Sequence, residues 1–372
     1  MIMMDKNFND YGYRINYIDL YKTDIRKLRK EWKVFLKNVG PYPSTLHGKG
    51  VVMCAGGIGY FTCCWVAINM IRRSGCQLPI EVWYVGNELS EEIKTTITKL
   101  GVTCINVCDY PGAPNAGYGL KPFAIINSSF KEVLYLDADN VSVRNPEELF
   151  VSEEYQQAGA VFWPDFWKTT KENPIWAIID SNDFDMKEQE SGQILINKER
   201  CWAALNLCMF FNTRHAIYYK LLLGDKDTFK FAWMACKTPF HMIGTDVAIL
   251  GYEDENIGEF IGTTMVQHNA MGEICFLHRN LLKWDITKPG EYAWQKIKRF
   301  RKNAITKEYH VNHTMPLGHA YLHIKGDIEE TAFQELLGNL EQVCLEYLDE
   351  LRNDEVYVRY MILQHIEKFR LF

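Results

Sequence analysis

Two aspartates, Asp137 and Asp139, directly follow the apolar run EVLYL at residues 132–136. Side chains two positions apart in an extended segment point to the same side, so both carboxylates can bind one ion. Hard oxygen ligands suit Mg²⁺ or Mn²⁺, which also bridge the phosphates of a nucleotide. The pair, with Ala138 between its members, therefore predicts a metal and nucleotide site. The alternative is a strand that ends in an ordinary turn, where Asp is also common.

The elements around this pair follow a regular alternation. Short apolar runs at 50–55, 80–85, 102–107 and 132–136 predict strands, and helix-like segments separate them. Strand–helix–strand repetition predicts an α/β fold of the Rossmann-like type, a mostly parallel sheet with helices on both faces. Ligands of such sheets bind beyond the carboxyl ends of the strands, where the acid pair falls.

Two further features occupy positions where a nucleotide would bind. Ala55, Gly56 and Gly57 end the first strand, at a turn where the backbone can lie close to a nucleotide. Lys121 opens the helix before the fourth strand. It is either a contact to the donor phosphates or a solvated surface lysine.

The bulk composition is that of a soluble globular protein. The net charge of −6 argues against a nucleic-acid partner, which would favour a basic surface. Eleven cysteines without a C-x-x-C pair exclude a zinc ribbon or a thioredoxin motif. The first twenty residues have no signal-peptide pattern, and the longest apolar stretch, near 60–71, is too short to span a bilayer. We therefore expect a cytoplasmic protein without a transmembrane segment.

The chain is expected to divide into three regions. Residues 1–47 form a partly helical N-terminal segment, and residues 48–285 form a catalytic domain. Within it, 48–150 would bind the nucleotide and 151–285 the acceptor. Residues 286–372 are expected to be a helical C-terminal region packed on the catalytic domain.

The stretch Leu120–Phe150, LKPFAIINSSFKEVLYLDADNVSVRNPEELF, resembles the core of the fungal α-mannosyltransferase family, glycosyltransferase family 71. Collinear matches follow at 74–86, 190–198, 224–233 and 276–284, so the resemblance covers roughly residues 50–285. It implies a GT-A fold, a divalent metal and a nucleotide-sugar donor, with GDP-mannose favoured. It also implies that a hexose passes to a glycan or glycoconjugate hydroxyl, forming an α-glycosidic bond with retention.

The same resemblance suggests roles for residues after the acid pair. Retaining GT-A enzymes such as glycogenin complete the metal site with a histidine, here His278, and Lys283 downstream would meet the diphosphate. The segment Gly224–Asp227 resembles a D-Q-D segment with Lys226 in place of Gln. The candidate catalytic groups, one of which should face the anomeric carbon or its hydroxyls, are Asp227, Glu190, Asp225 and Gln193. Because no acid is a clear nucleophile, we favour a same-face reaction without a covalent intermediate.

Three alternatives remain open at this stage. The first is a retaining transferase that uses a UDP-sugar. The second is a nicotinamide dehydrogenase, but its glycine fingerprint at 57–62 ends in Thr62 instead of glycine. The acid that would bind the ribose belongs at the end of the second strand, whereas the nearby acid, Glu81, lies at its start. The third is a sugar-binding protein without catalysis.

Overall fold

The structure is a computed structural model that describes residues 8–114, 117, 119–313 and 319–370. The helices are α1 (Lys22–Leu36), α2 (Gly57–Arg73), α3 (Glu91–Thr98), α4 (Leu120–Asn127), α5 (Glu153–Ala158), α6 (Pro174–Ile179), α7 (Lys198–Thr213), α8 (His215–Leu221), α9 (Lys226–Cys236), α10 (Phe333–Leu337), α11 (Leu340–Arg352) and α12 (Glu355–Arg370). The strands are β1 (Tyr13–Arg14), β2 (Lys49–Cys54), β3 (Ile80–Tyr84), β4 (Val102–Asn106), β5 (Glu132–Leu136), β6 (Asn140–Ser142), β7 (Ala160–Thr169), β8 (Lys187–Asn197), β9 (His241–Met242), β10 (Ala248–Asp254), β11 (Glu259–His268), β12 (Ile274–His278), β13 (Lys296–Phe300), β14 (Lys307–His313), β15 (Ala320–Gly326) and β16 (Ile328–Ala332).

The chain forms two compact units that are interleaved in sequence. The first unit consists of Met1–Gly50, Ala116–Tyr135 and Leu149–Asp246. The second consists of Val51–Asn115, Leu136–Glu148 and Val247–Phe372. Each unit therefore combines segments that are distant along the chain.

The second unit contains most of three of the four predicted strands. β2, β3 and β4 pair in parallel, in a register that places Val51 beside Ile80 and Ile80 beside Val102. The strands read as continuous apolar runs because parallel sheets are normally covered on both faces. α2 and α3 provide the crossovers, and Ser90 caps α3 by accepting from the Ile93 amide at 3.3 Å. The predicted α/β class is confirmed.

An antiparallel sheet in the same unit has the strand order β14-β15-β11-β10-β13-β16. β12 pairs with β11 and also with the short β6, which begins directly after the Asp137–Asp139 pair. In that ladder His278 lies opposite Asn140. Backbone pairing therefore brings the start of β6 and the end of β12 together.

The C-terminal region departs in part from the expectation. Helices α10–α12 are present, but the residues of 296–332 that the structure describes form β13–β16 and no helix. These strands carry many Lys, Arg and Glu residues, because an antiparallel sheet can leave one face in water. From sequence alone, short segments that mix charged and apolar residues are hard to distinguish from amphipathic helices.

The first unit contains a network of buried charges. The Arg14 guanidinium, on β1, binds both oxygens of Glu188 at 2.7 and 2.5 Å. Lys226 lies 2.6 Å from Glu188, 2.9 Å from Asp165 and 3.0 Å from Asp227. Each buried charge thus has an opposite partner, which is the condition under which burial is tolerated.

A membrane-spanning helix is absent from the described residues, since none of their helices has both the length and the apolar character that crossing a bilayer requires.

Replacing Arg14 by Met should strongly destabilise the first unit. The change leaves the buried Glu188 carboxylate with fewer partners, and breaking a buried ion pair costs about 3–5 kcal/mol. The matched control, Arg299→Met, breaks the exposed Arg299–Glu329 pair, which should cost about 0–1 kcal/mol. Urea unfolding followed by tryptophan fluorescence measures both free energies of unfolding. Equal costs for the two variants would contradict the network's structural role.

Candidate active site

The β6–β12 ladder positions one candidate site in the second unit. The Arg279 amide donates to the Asp139 carbonyl at 3.0 Å, directly after β12. The Asn140 amide donates to the Asp137 carbonyl at 3.1 Å, which closes the turn between the aspartates and β6. His278 therefore faces the two aspartates although 139 positions separate it from Asp139.

Three side chains converge at this point. Asp139 Oδ1 lies 3.0 Å from His278 Nε2, and Asp137 Oδ2 lies 3.9 Å from the same nitrogen. One ligand atom from each of the three residues falls within 4.8 Å of the others. Two carboxylates and one imidazole form a donor set that suits Mn²⁺. The residues present therefore fit the metal that the acid pair predicts.

Lys283 completes the arrangement. Its ammonium group contacts the second oxygen of Asp139, so this one carboxylate is shared between Lys283 and His278. Burial alone would raise the pKa of Asp139, but the charges and hydrogen bonds of His278 and Lys283 lower it well below its usual range. Burial likewise opposes the charged form of Lys283, and the Asp139 carboxylate outweighs it and raises the pKa of the ammonium group. Both groups are held in their charged forms.

Asp139 is buried, whereas its position after a strand end suggests a loop that faces solvent. The residue is only 3% exposed, and Asp137 is the more accessible of the two acids. The reason is that Asp139 has two partners inside the protein. Ala138 is also buried, so its side chain belongs to the packing beneath the site.

Arg279 and Glu341 support the site, and no sequence motif pointed to either. The buried Arg279 guanidinium donates to Glu341 at 2.9 Å and to the Leu282 carbonyl at 2.6 Å. It also lies over the Trp284 ring, 4.2 Å from the centroid. Glu341 in turn accepts from the Ala293 amide at 2.8 Å. Together these contacts fix the segment between His278 and Lys283. Neither residue stands out in its sequence context, HRN for Arg279 and LEQ for Glu341.

The glycine turn lies at the start of α2, in the same unit. Gly57 has φ +67°, a left-handed conformation that favours glycine. The Ala55 amide donates to the Trp83 carbonyl at 3.0 Å, so the turn begins where β2 is still paired with β3. In the first turn of α2, Tyr60 is half exposed, and Lys283 lies 5.6 Å from its ring centroid. The glycine turn and the Asp139 cluster are therefore linked through Tyr60 and Lys283.

The other predicted site residues lie in the first unit. Lys121 is buried and donates to the Ser191 carbonyl and hydroxyl at 2.9 and 2.8 Å. Its ammonium group is also 3.6 Å from Asp225. Glu190 accepts from the Gly192 amide, and Gln193 is fully buried. Lys121 is therefore not a solvated surface lysine.

Asp227 belongs to the buried charge network. One oxygen accepts from the Gln189 amide at 2.9 Å and pairs with Lys230 at 3.0 Å, and the other pairs with Lys226. Its direct part in chemistry stays a prediction.

Asp165, also in this network, was missed from the sequence. Burial, the largest influence, together with nearby Glu190 and Glu188, raises its pKa to about 6 against the opposing effect of Lys226. Its sequence context, WPDFW, matches no catalytic pattern.

Comparison with known proteins identifies the class. A family model described as "Mannosyltransferase putative" matches residues 48–188 and 180–269. The chain is a member of this mannosyltransferase family.

Sequence identity to individual relatives is low. The chain is 27% identical over 308 residues to the α-1,2-mannosyltransferase MNN2 of Saccharomyces cerevisiae, with 68% of this chain and 51% of the relative covered. It is 27% identical over 280 residues to the α-1,2-mannosyltransferase MNN23 of Candida albicans, covering 60% and 46%. The chain thus spans about half the length of these curated relatives. A weak structural likeness links it to the glycosyltransferase GlyE of Streptococcus pneumoniae, at 16% identity and TM-score 0.37, covering 53% of this chain and 46% of the other.

Removing His278 should weaken binding of Mn²⁺. We expect wild-type protein to bind Mn²⁺ and His278→Ala to bind it about tenfold more weakly or worse, because losing even an outer-shell partner costs 10–100-fold. Asp180→Asn, an exposed acid in the first unit, is the matched control and should behave as wild type. Electron paramagnetic resonance of free Mn²⁺ gives the affinities. Equal affinities of wild type and His278→Ala would remove His278 from the ligand set.

Proposed function

We propose that the chain is a metal-dependent, retaining glycosyltransferase of the GT-A type that moves mannose from GDP-mannose to a glycan or glycoconjugate hydroxyl. The product would be an α-glycoside. Family membership supports the mannosyl reaction. The observation that carries the proposal is the Asp139 carboxylate, shared between a potential metal ligand, His278, and a cation, Lys283.

Asp137, Asp139 and His278 would hold the metal. A bound Mn²⁺ or Mg²⁺ would act as a Lewis acid on the leaving diphosphate. Asp137 is the most accessible of the three side chains, so it offers the open side of the site.

Lys283 would neutralise the departing diphosphate. In the structure its charge is matched by Asp139. If Asp139 held a metal, Lys283 would no longer be needed to balance that carboxylate, and its ammonium group would be free to contact the phosphates. Charge on the leaving oxygen grows toward the transition state, so this contact would raise kcat more than donor affinity.

The glycine turn would bind the nucleotide. Gly56 caps the 17-residue α2 and Gly57 is its first residue, and the amides that follow Gly57 can donate to a phosphate or ribose oxygen. Ala55 directly follows β2 at this point. Tyr60, exposed beside Lys283, offers a ring face for the base or the ribose.

The remaining predicted groups are assigned to the sugar substrates. We assign Glu190, Gln193 and Asp225 as the polar groups that meet the acceptor or the transferred sugar, with Lys121 holding Asp225. Asp227, paired with two lysines, would position Lys226 and the Gln189 backbone. In the same-face route the departing phosphate accepts the acceptor's proton, so none of these acids needs to form a covalent intermediate.

The reaction is tested with GDP-mannose, Mn²⁺ and methyl α-mannoside as acceptor. We expect an α-linked product, identified by its anomeric coupling constant early in the reaction. EDTA should abolish transfer and Mn²⁺ should restore it. UDP-glucose under the same conditions is the comparison donor. A β-linked product would contradict retention, and faster transfer from the UDP-sugar would contradict the mannosyl donor.

Replacing Lys283 by Ala should lower kcat. Losing one preorganised contact to a developing charge costs about 10²–10³ in kcat. Lys288→Ala, five residues later and exposed, is the matched control and should leave kcat unchanged. Steady-state kinetics with GDP-mannose separates kcat from KM. An unchanged kcat in Lys283→Ala would assign this lysine to structure alone.

A further inference from the structure

The loop after β3 carries an acid that sequence reasoning overlooked. Glu81, the acid noted near this strand, is buried and accepts from the Trp83 indole nitrogen at 3.0 Å. Glu88 is the acid that reaches the glycine turn. Its carboxylate lies where β2 and β3 end, which is the edge at which parallel sheets bind ligands.

Gly56 makes room for this carboxylate. With φ −133° and ψ 155°, Gly56 has an extended backbone that any residue could adopt. A Cβ atom at this position, however, would stand 1.8 Å from Glu88 Oε2. Glycine at this position therefore leaves room for the Glu88 carboxylate, which a larger residue would displace, and is not needed for its own backbone conformation.

Several contacts fix the position of Glu88. Its Oε2 accepts from the Val85 amide at 2.8 Å. Its backbone carbonyl accepts from the Gly57 amide at 3.3 Å and from the Tyr360 hydroxyl of α12. Tyr360 is itself buried and packs edge-on against Phe61. The carboxylate is thus held in place before any ligand arrives, which lowers the entropic cost of binding.

The second carboxylate oxygen of Glu88 remains available. Within the part of the chain that the structure describes, no donor lies within hydrogen-bonding distance of Oε1, and the residue is half-buried rather than enclosed. A carboxylate has about four acceptor sites, of which the Val85 amide uses one. Glu88 can therefore accept two further hydrogen bonds.

We propose that Glu88 reads the base of the donor nucleotide and selects guanine, by accepting hydrogen bonds from its N1–H and its 2-amino group. This inference rests on the nucleotide-sugar function proposed above. Guanine presents two adjacent donors, which match the two oxygens of a carboxylate. Uracil presents one N–H between two carbonyl oxygens, and these oxygens would face the negative charge. A site built for a donor pair rejects bases that lack it.

Glu88→Gln tests the proposal by changing the preferred base. The amide oxygen can still accept from the Val85 amide, so the loop keeps its contact. The amide NH₂ now faces the 2-amino group of guanine, but it complements xanthine, which carries a carbonyl oxygen there. We expect Glu88→Gln to bind GDP about tenfold to a hundredfold more weakly, as expected for a lost hydrogen bond to a charged group. It should bind xanthosine diphosphate more tightly than wild type does. UDP affinity should not fall, because the amide removes the negative charge that faces the uracil oxygens.

Isothermal titration calorimetry with GDP, UDP and xanthosine diphosphate in Mn²⁺ supplies the affinities. Glu92→Gln, on the neighbouring α3 and paired with Arg359 at 3.7 Å, is the matched control and should keep the wild-type preference. A gain of xanthine binding supports the proposal and cannot result from misfolding.

Two other outcomes overturn the proposal in different ways. Wild-type protein that binds UDP better than GDP would contradict the proposed donor, and the base reading with it. Wild-type protein that prefers GDP, with Glu88→Gln keeping that preference, would contradict the base reading alone. An equal loss of GDP and UDP affinity in Glu88→Gln would also contradict the base reading alone. It would mean that Glu88 contacts the ribose or stabilises the loop.

Discussion

The buried carboxylate of Asp139 has to be paired, and the geometry of the candidate donor site follows from that requirement. An isolated buried charge is strongly unfavourable, and here His278 at the end of β12 and Lys283 in the segment after it compensate the charge of Asp139. Because the β6–β12 ladder brings these segments together, the contact spans about 140 positions of sequence. A metal between Asp139 and His278 would use the same charge balance and release Lys283 for the diphosphate.

Support for this arrangement extends beyond the residues that define the family. The family match covers residues 48–269 and ends before His278. Glu341, on α11, holds Arg279 and thereby the segment that carries His278 and Lys283. Tyr360, on α12, holds the Glu88 backbone beside the glycine turn. The C-terminal helices are thus part of the framework that holds both the Asp139–His278–Lys283 cluster and the loop that carries Glu88.

The sequence predicted those features that are encoded locally. The strands around residues 50–136 and the grouping of Asp137 with Asp139 follow from short-range periodicity and spacing. The burial of Asp139, the Arg279–Glu341 pair and the approach of Glu88 to Gly56 depend on tertiary contacts between distant segments, which spacing does not show. The charge-rich antiparallel strands at 296–332 were missed because their alternation is interrupted by exposed charges. His278 was found through family resemblance and not through any local pattern.

The central claim is that Asp137, Asp139 and His278 bind one divalent metal, and that Lys283 contacts the diphosphate. The most direct measurement is an anomalous difference map at the manganese edge, from crystals grown with Mn²⁺ and GDP. The account predicts a single peak within coordination distance of all three side chains, with Lys283 moved from Asp139 to the diphosphate of GDP. A peak elsewhere, or an occupied nucleotide site with no peak and an unchanged Lys283–Asp139 contact, would contradict it.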